Sequence, residues 1–422
     1  MTQPQPTTGS PNPARLVAAH HAARDLYRRH LLAATGPRRY LHDRGLGPFT
    51  RNPDRGGIAA PWHVGYAPPG WTTLVNHLTA QGFTPAELLA AGLATPTRHG
   101  LVDVFRDRIV FPIHNHDGQP VAFLGRAAPG ADPDVPKYIN STDTPIYHKR
   151  QMLYGLGEQN APQNAGLTVL LVEGPTDVLA TWLHQPQPGY LALATCGTSF
   201  TEQHAITLAA LPAARHHGVL TAFDADPAGQ HATLHAFRIL SGRTRLTLSA
   251  AVLPAGSDPA DLAHRYGTHA LRAALANRRP LAQAAVDITL DQYLAQRRDA
   301  LTFIEGRHNA IHTVASLLVD LPAEQIIALA QHIAQRTGSR LDAVADIIVD
   351  RMEHDPPTRP PRAAHIPRDP APRDGPIKQT SLAANHPTAA QPPMVFPPLH
   401  QTSATPAAPL APPAAARPGR QR

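Results

Sequence analysis

Hydrophobic positions along the chain divide it into segments of different periodicity. Apolar residues recur at every third or fourth position over 14–46, which predicts helix, and two shorter helical runs follow within 71–93. Residues 108–113 and 120–125 are short β-type runs on either side of the turn-forming sequence HNHDG. They predict a β-hairpin, so the first part of the chain is expected to mix helices with an antiparallel sheet.

From residue 167 the pattern alternates between short, continuous apolar runs and amphipathic runs. The predicted strands are 168–172, 189–194, 219–223 and 246–253, and the predicted helices between them are 176–184, 201–210 and 228–240. Strand and helix alternating at this spacing predict a parallel, doubly wound sheet. From 260 to 352 the apolar positions keep a helical period throughout, so we expect only helices there.

Proline usage sets the limits of the folded region. Residues 353–422 hold 18 of the 46 prolines and have almost no periodic apolar positions. Such a segment cannot bury enough apolar surface to offset its ordering entropy, so we expect a disordered tail. The first residues, 1–13, are expected to be disordered as well. The folded region is therefore predicted to span about 14–352.

Composition excludes several classes of protein. The 38 basic and 31 acidic residues give a net charge of +7. Cys196 is the single cysteine, which excludes a disulfide framework and every zinc module built on two to four cysteines. No Gly-Lys pair occurs, so the chain has no P-loop. Without a membrane-spanning apolar run or a signal peptide, a cytoplasmic location is expected.

Acidic residues follow the predicted strands of the parallel sheet. Glu173 comes directly after the first strand, and Asp224 and Asp226 follow the third. Asp258 and Asp261 follow the fourth strand on the same side. The carboxyl ends of parallel strands border the crevice where ligands bind, so these carboxylates are expected to meet at one rim. A cation would relieve their repulsion, and oxygen ligands favour Mg²⁺ or Mn²⁺ over zinc.

A second explanation exists for each acidic motif taken alone. The sequence Asp-Ala-Asp-Pro-Ala-Gly at 224–229 also suits a turn followed by a helix cap, and a Glu-Gly pair after a strand is common. Three such motifs after strands of one sheet favour a metal site. Separately, only three lysines occur, and two of them, Lys137 and Lys149, lie twelve residues apart in one short segment, which chance alone could also explain.

Four segments of the chain resemble the motifs of a TOPRIM domain. In chain order they are LLVEGPTDVLA, ALATCGTSF, TAFDADPAGQHA and LPAGSDPADL. Upstream, the segments VGYAPPGW, DRIVFPIHNHDGQPVAFLGRA and KYINSTDTPIYHKRQMLYGL resemble the RNA-polymerase core of the bacterial DnaG-type primases. The resemblance covers about 20–350. It implies a TOPRIM-type parallel sheet flanked by helices, with an N-terminal α+β subdomain and a C-terminal helical bundle.

This resemblance also implies domain limits. The N-terminal subdomain of the primase core is expected at 14–160, the TOPRIM domain at 161–259, and the helical bundle at 260–352. The family's N-terminal zinc ribbon has no counterpart here, because a single cysteine cannot build it. A separate zinc-ribbon protein and a replicative helicase are therefore candidate partners, beside single-stranded DNA and ribonucleoside triphosphates.

The resemblance assigns roles to individual residues. It implies that five carboxylates hold the divalent metal ions: Glu173, Asp177, Asp224, Asp226 and Asp258. Of these, Glu173, Asp224 and Asp226 would be catalytic. Because the last motif reads Asp-Pro-Ala-Asp, Asp261 is an additional candidate ligand. Arg126, Lys137 and Lys149 would contact the nucleotide and template.

Three functions are compatible with these motifs. The leading hypothesis is a DNA-directed RNA polymerase that makes short RNA primers by two-metal nucleotidyl transfer, with Mg²⁺ or Mn²⁺ and without zinc. A TOPRIM nuclease is the second, since nucleases and topoisomerases share the two acidic motifs. The third is a protein that binds single-stranded DNA or nucleotides without polymerising.

Overall fold

The computed structural model describes residues 11–132, 134–160, 166–184, 189–241 and 246–354. These residues all belong to one unit, Met1–Ala363, whereas a second unit, Ala364–Arg422, lies wholly outside them. Most of the predicted tail 353–422 and of the predicted disordered start 1–13 is likewise outside the described residues. At the edges of those segments, Pro13 and Glu353 are helical.

Helices form about half of the described residues. They are α1 Pro13–Ala33, α2 Thr35–Asp43, α3 Thr73–Ala80, α4 Pro85–Ala90, α5 Pro175–His184, α6 Glu202–Ala210, α7 Pro212–His217, α8 Pro227–Ser241, α9 Pro259–Ala276, α10 Leu281–Gln296, α11 Ile304–Ala315, α12 Ala323–Thr337 and α13 Leu341–His354. The run predicted as continuous helix over 14–46 is broken at Ala34, whose backbone is extended. Pro37 explains the break, because its ring would clash with the carbonyl of Ala33 in a continuous helix.

The strands belong to three sheets. They are β1 Gly65–Ala67, β2 Ala94–Thr97, β3 Gly100–Asp103, β4 Arg108–His114, β5 Pro120–Ala127, β6 Tyr138–Asn140, β7 Leu153–Tyr154, β8 Thr168–Val172, β9 Tyr190–Thr195, β10 Val219–Thr221, β11 Leu248–Ala251 and β12 Arg278–Pro280. The N-terminal sheet has the order β1-β4-β5-β6 and is antiparallel. Its centre is the predicted hairpin of β4 and β5, and β2 and β3 form a separate hairpin.

The third sheet has six strands in the order β12-β11-β10-β8-β9-β7. Its four central strands are parallel, which confirms the predicted parallel sheet flanked by helices. The two edge strands, β7 and β12, are antiparallel to their neighbours. The expectation of helices alone from 260 onward is therefore wrong at β12. The predicted TOPRIM limits, 161 and 259, stay predictions. Both edge strands are formed by residues outside that range.

Both faces of the six-stranded sheet are buried. Along β8, Val169 and Leu171 face a core that includes helices α6 to α8 and α10 to α13. Leu170 and Val172 face the opposite core, which includes α5, α9 and the N-terminal sheet. This alternation explains why the strands appear in the sequence as continuous apolar runs. The residues that follow the carboxyl ends of the parallel strands are partly exposed, and we call this end of the sheet its open edge.

Candidate active site

The carboxyl ends of β8 and β10 bring two of the predicted carboxylates together. These strands are parallel neighbours, with Leu171 opposite Thr221. Glu173 directly follows β8, and Asp224 lies three residues beyond the end of β10. The backbone N–H of Asp224 donates a hydrogen bond to Oε1 of Glu173 at 3.0 Å. The sheet thus joins two residues that are 51 positions apart in the sequence.

Negative charge is concentrated at this pair. Burial, and then the charges of Glu173, Asp258 and Asp226, raise the pKa of Asp224 to about 7. The pKa of Glu173 is also raised, mainly by burial. Oδ1 of Asp224 is buried and accepts no hydrogen bond from any described residue. A buried carboxylate oxygen without a donor, beside a second carboxylate, fits a divalent cation with oxygen ligands.

The loop after β10 fixes Asp226 through a close backbone approach. Oδ1 of Asp226 accepts a hydrogen bond from the backbone N–H of Gly229 at 2.8 Å, in the first turn of α8. A Cβ atom at Gly229 would lie 2.0 Å from the carbonyl oxygen of Asp224, so this position requires glycine. The turn-and-cap explanation is therefore right for one oxygen of Asp226. The side chain itself is exposed at the open edge.

Asp177 and Asp258 already serve the protein as hydrogen-bond acceptors. Asp177 is 4% exposed, and its two oxygens accept from the N–H groups of Gly174 and Ala260 at 3.2 and 3.3 Å. Burial, followed by the charges of Asp258 and Asp224, raises its pKa. Asp258 caps α9, where it accepts from the N–H of Asp261 at 2.5 Å. Asp177 therefore holds the start of α9 against the loop after β8, whereas Asp258 caps α9 itself.

Arg44 neutralises the α9 end of this acidic group. Its guanidinium lies 3.0 Å from Oδ2 of Asp258 and 3.4 Å from Oδ1 of Asp261. Within the described ranges, no three His, Cys, Asp or Glu residues are grouped so that they could hold a metal ion. Glu173 and Asp224 fit a cation best, with Asp226 beside them. Asp177, Asp258 and Asp261 are engaged by protein donors.

The predicted basic residues occupy different positions. Lys137 is exposed. Its positive charge partly opposes the rise in the pKa values of Glu173 and Asp224, so it faces the acidic pair. Arg126 lies between the rings of Tyr40 and Tyr138, 5.1 and 5.2 Å from their centroids. Its Nη1 also donates to the Tyr138 hydroxyl at 2.5 Å, which fixes the guanidinium.

Lys149 is anchored elsewhere by its backbone. Its N–H donates to Asp143 at 2.9 Å, and its carbonyl oxygen lies 3.3 Å from Nε2 of His204. No described carboxylate forms an ion pair with its ammonium group. The assignment of Lys149 to the nucleotide or template stays a prediction.

Sequence reasoning missed Arg44 and Tyr40. Arg44 meets Asp258 across 214 positions of sequence, and nothing in its local pattern marks it. Tyr40 belongs to an amphipathic helical run in which aromatic residues usually pack in the core. Their roles become visible only when α2 is placed against the acidic edge and Arg126.

A parallel sheet with acidic residues at its open edge, joined to an antiparallel subdomain with basic residues, defines the catalytic core of a TOPRIM protein. Comparison with known proteins supports this class. Residues 26–160 match the family described as the DNA primase catalytic core, N-terminal domain, and residues 170–263 match a Toprim-like family. Together the two matches cover most of the described residues.

Curated relatives and solved structures agree. The chain is 34% identical over 313 residues to a DNA primase of Mycolicibacterium smegmatis, which covers 72% of this chain and 46% of the relative. It is 36% identical over 291 residues to a DNA primase of Streptomyces coelicolor, with 66% and 42% covered. The chain therefore spans less than half the length of these curated relatives.

Among solved structures, the RNA polymerase domain of Mycobacterium tuberculosis primase DnaG in complex with double-stranded DNA superposes with a TM-score of 0.62 and 31% identity. The match covers 78% of this chain and 99% of that one. A DnaG primase catalytic domain bound to single-stranded DNA gives 0.59 and 30%, with 79% and 98% covered. The chain belongs to the DnaG-type primase family and carries its catalytic core.

No helix in the described part of the chain combines the length and the apolar character that a membrane crossing needs.

Proposed function

We propose that this chain is a DNA-directed RNA polymerase that synthesises short RNA primers on single-stranded DNA. The observation that carries the proposal is the pair Glu173 and Asp224 at the open edge of the parallel sheet, faced by Lys137. The template would be single-stranded DNA and the substrates ribonucleoside triphosphates. The proposal includes a cytoplasmic location, where such a template is exposed during replication.

The proposed chemistry is nucleotidyl transfer. Divalent cations, when bound, would supply the positive charge that activates a 3′-hydroxyl and stabilises the leaving pyrophosphate. Glu173 and Asp224 would hold that charge, and the exposed side chain of Asp226 would join them when a cation binds. Lys137 would attract the triphosphate. Asp177 would position the loop after β8 and Asp258 the start of α9, because each accepts hydrogen bonds from backbone N–H groups there.

An exposed aromatic platform supports a single-stranded template. Trp71 is 64% exposed, and the guanidinium of Arg106 lies 4.4 Å from the centroid of its ring. The backbone of Trp71 is held by a hydrogen bond of 2.7 Å from the N–H of Asp103. An aromatic face beside an arginine suits an unpaired base and its phosphate. We propose that this pair contacts the template.

The test is incorporation of labelled ribonucleotides on mixed-sequence single-stranded DNA with Mg²⁺ or Mn²⁺. It is run with and without an added zinc-ribbon protein and a replicative helicase, the two proposed protein partners. Asp224→Asn should abolish incorporation, because it removes a ligand charge with little change in shape. Asp346→Asn, at an exposed position on α13, is the matched control and should retain wild-type activity.

Wild-type incorporation by Asp224→Asn would contradict the assignment of the metal site. Cleavage of labelled DNA without any incorporation would instead indicate a TOPRIM nuclease. Tight binding of DNA or nucleotides with neither reaction would indicate a binding protein.

A further inference from the structure

A small cavity opens beside Glu173 and has no role in the chemistry described above. Its volume is about 290 Å³, and it lies between the carboxyl ends of β8 and β9 and the first turns of α8. The residues that define it here are Glu173, Thr198, Ser199, Phe200, Phe223 and His231. Ligand pockets usually measure about 300–1,000 Å³, so this cavity suits only a fragment of a nucleotide.

The cavity combines apolar walls with hydroxyl groups. Phe200 is 5% exposed and forms part of the wall with Phe223. Oγ1 of Thr198 is buried and has no hydrogen-bond partner among the described residues. Ser199 is an exposed neighbour. A buried hydroxyl without a partner is energetically unfavourable, and a ligand hydroxyl reached by rotation of the threonine side chain would remove that cost.

The position of the cavity limits what it can hold. A phosphate is disfavoured, because the carboxylate of Glu173 borders the cavity and would repel its negative charge. A nucleobase is disfavoured because the base of an incoming nucleotide must stay free to pair with the template. The sugar lies between these two groups, and it is compact and carries hydroxyls.

We propose that this cavity binds the ribose of the incoming nucleotide, and that Thr198 and Ser199 select ribose over deoxyribose through its hydroxyls. This inference rests on the proposed polymerase function. A site that hydrogen-bonds a substrate hydroxyl rejects the analogue that lacks it, because its own polar groups then stay unpaired. Thr198 and Ser199 are thus specificity-determining residues.

The test measures equilibrium binding of ATP and 2′-deoxyATP with Mg²⁺, in the absence of template. Wild-type protein should bind ATP at least about tenfold more tightly. Thr198→Val keeps the shape but removes the hydroxyl, and should reduce this preference to about twofold or less by weakening ATP binding alone. Ser199→Ala, at an exposed position, should reduce it as well. Thr207→Val, outside the cavity, is the matched control and should keep the wild-type preference.

The binding measurement does not require polymerisation, so the cavity assignment and the proposed function can fail independently. If wild-type protein incorporates no nucleotide but the preference for ATP disappears in Thr198→Val, the cavity assignment stands and the polymerase proposal fails. Equal preference in wild type, Thr198→Val and Ser199→Ala overturns the cavity assignment, whatever the polymerase activity. So does equal binding of ATP and 2′-deoxyATP by the wild type. If Thr198→Val does not fold, Ser199→Ala decides between these outcomes.

Discussion

At the scale of single residues, Lys137 is the cation that faces the paired carboxylates. Its charge opposes the rise in the pKa values of Glu173 and Asp224. It is exposed, so it is available to a ligand. Because almost all of the remaining basic residues in the chain are arginine, a lysine here indicates a need for a compact point charge.

Lys137→Gln should raise the KM for ribonucleoside triphosphates about tenfold, which corresponds to about 1.4 kcal/mol. The kcat should change less, because a charge that binds the phosphates acts on both the ground state and the transition state. Steady-state incorporation on a primed template measures both constants. Arg98→Gln, which removes a cation from the turn between β2 and β3, should leave KM unchanged. An equal effect of the two substitutions would mean that Lys137 acts only through overall charge.

His20 gives a residue-scale prediction about stability. It is fully buried in α1, where its ring stacks on Phe123 and its Nδ1 lies 2.9 Å from the carbonyl oxygen of Leu16. Burial lowers its pKa from 6.5 to about 4. As the pH falls from 6.5 to 4, the unfolded chain therefore takes up a proton at His20 and the folded chain does not. The unfolded state is favoured across that window.

We expect His20 to lower the free energy of unfolding by about 2 kcal/mol between pH 7 and pH 5. His20→Gln should remove this part of the pH dependence, whatever its effect at pH 7. Urea unfolding at the two pH values measures the difference. The control His99→Gln, at an exposed position, should keep the wild-type dependence, and an identical dependence in all three proteins would contradict the prediction.

At the scale of elements, one carboxylate joins three of them. Asp287 of α10 is 4% exposed and pairs with Arg279 of β12. It also pairs with His332 and Arg336 of α12, at 2.7 and 2.6 Å. This cluster holds the edge strand and the bundle together at one point.

Asp287→Asn should lower the free energy of unfolding by about 3 kcal/mol, because it leaves partly buried cations without their counter-charge. Urea unfolding at pH 7 checks this value. Asp291→Asn removes the other partner of Arg336, a carboxylate that is 63% exposed, and should cost less than about 1 kcal/mol. A loss of under 1 kcal/mol for both substitutions would show that β12 is held by its backbone alone.

The same elements show what the sequence can predict. The central strands are predictable because burial on both faces requires continuous apolar runs, and their ends place Glu173 and Asp224 together. Strand β12 reads Arg-Arg-Pro and has no apolar alternation, so nothing local distinguishes it from a loop. Its position depends on backbone pairing with β11 and on Asp287. The contact of Arg44 with Asp258 is equally non-local.

At the scale of the whole molecule, the bundle and the parallel sheet share one core. Val169, Leu171 and Leu193 of the sheet belong to the same cluster of buried residues as Ile311 and Ile333 of the bundle. Removing the bundle would therefore expose one face of the sheet to water. At about 25 cal/mol per Å² of apolar surface, the free-energy cost of this exposure exceeds the few kcal/mol of net stability that most domains have.

A chain that ends at residue 277 should therefore fail to unfold cooperatively, whereas a chain that ends at residue 354 should melt within about 2 °C of the full-length protein. The second expectation follows from the proline-rich composition of 355–422, which offers few apolar residues to a core. Calorimetry of the three chains measures both effects. A cooperative transition in the shortest chain would mean that the sheet does not depend on the bundle. A loss of several degrees on removing 355–422 would mean that this segment packs on the folded region.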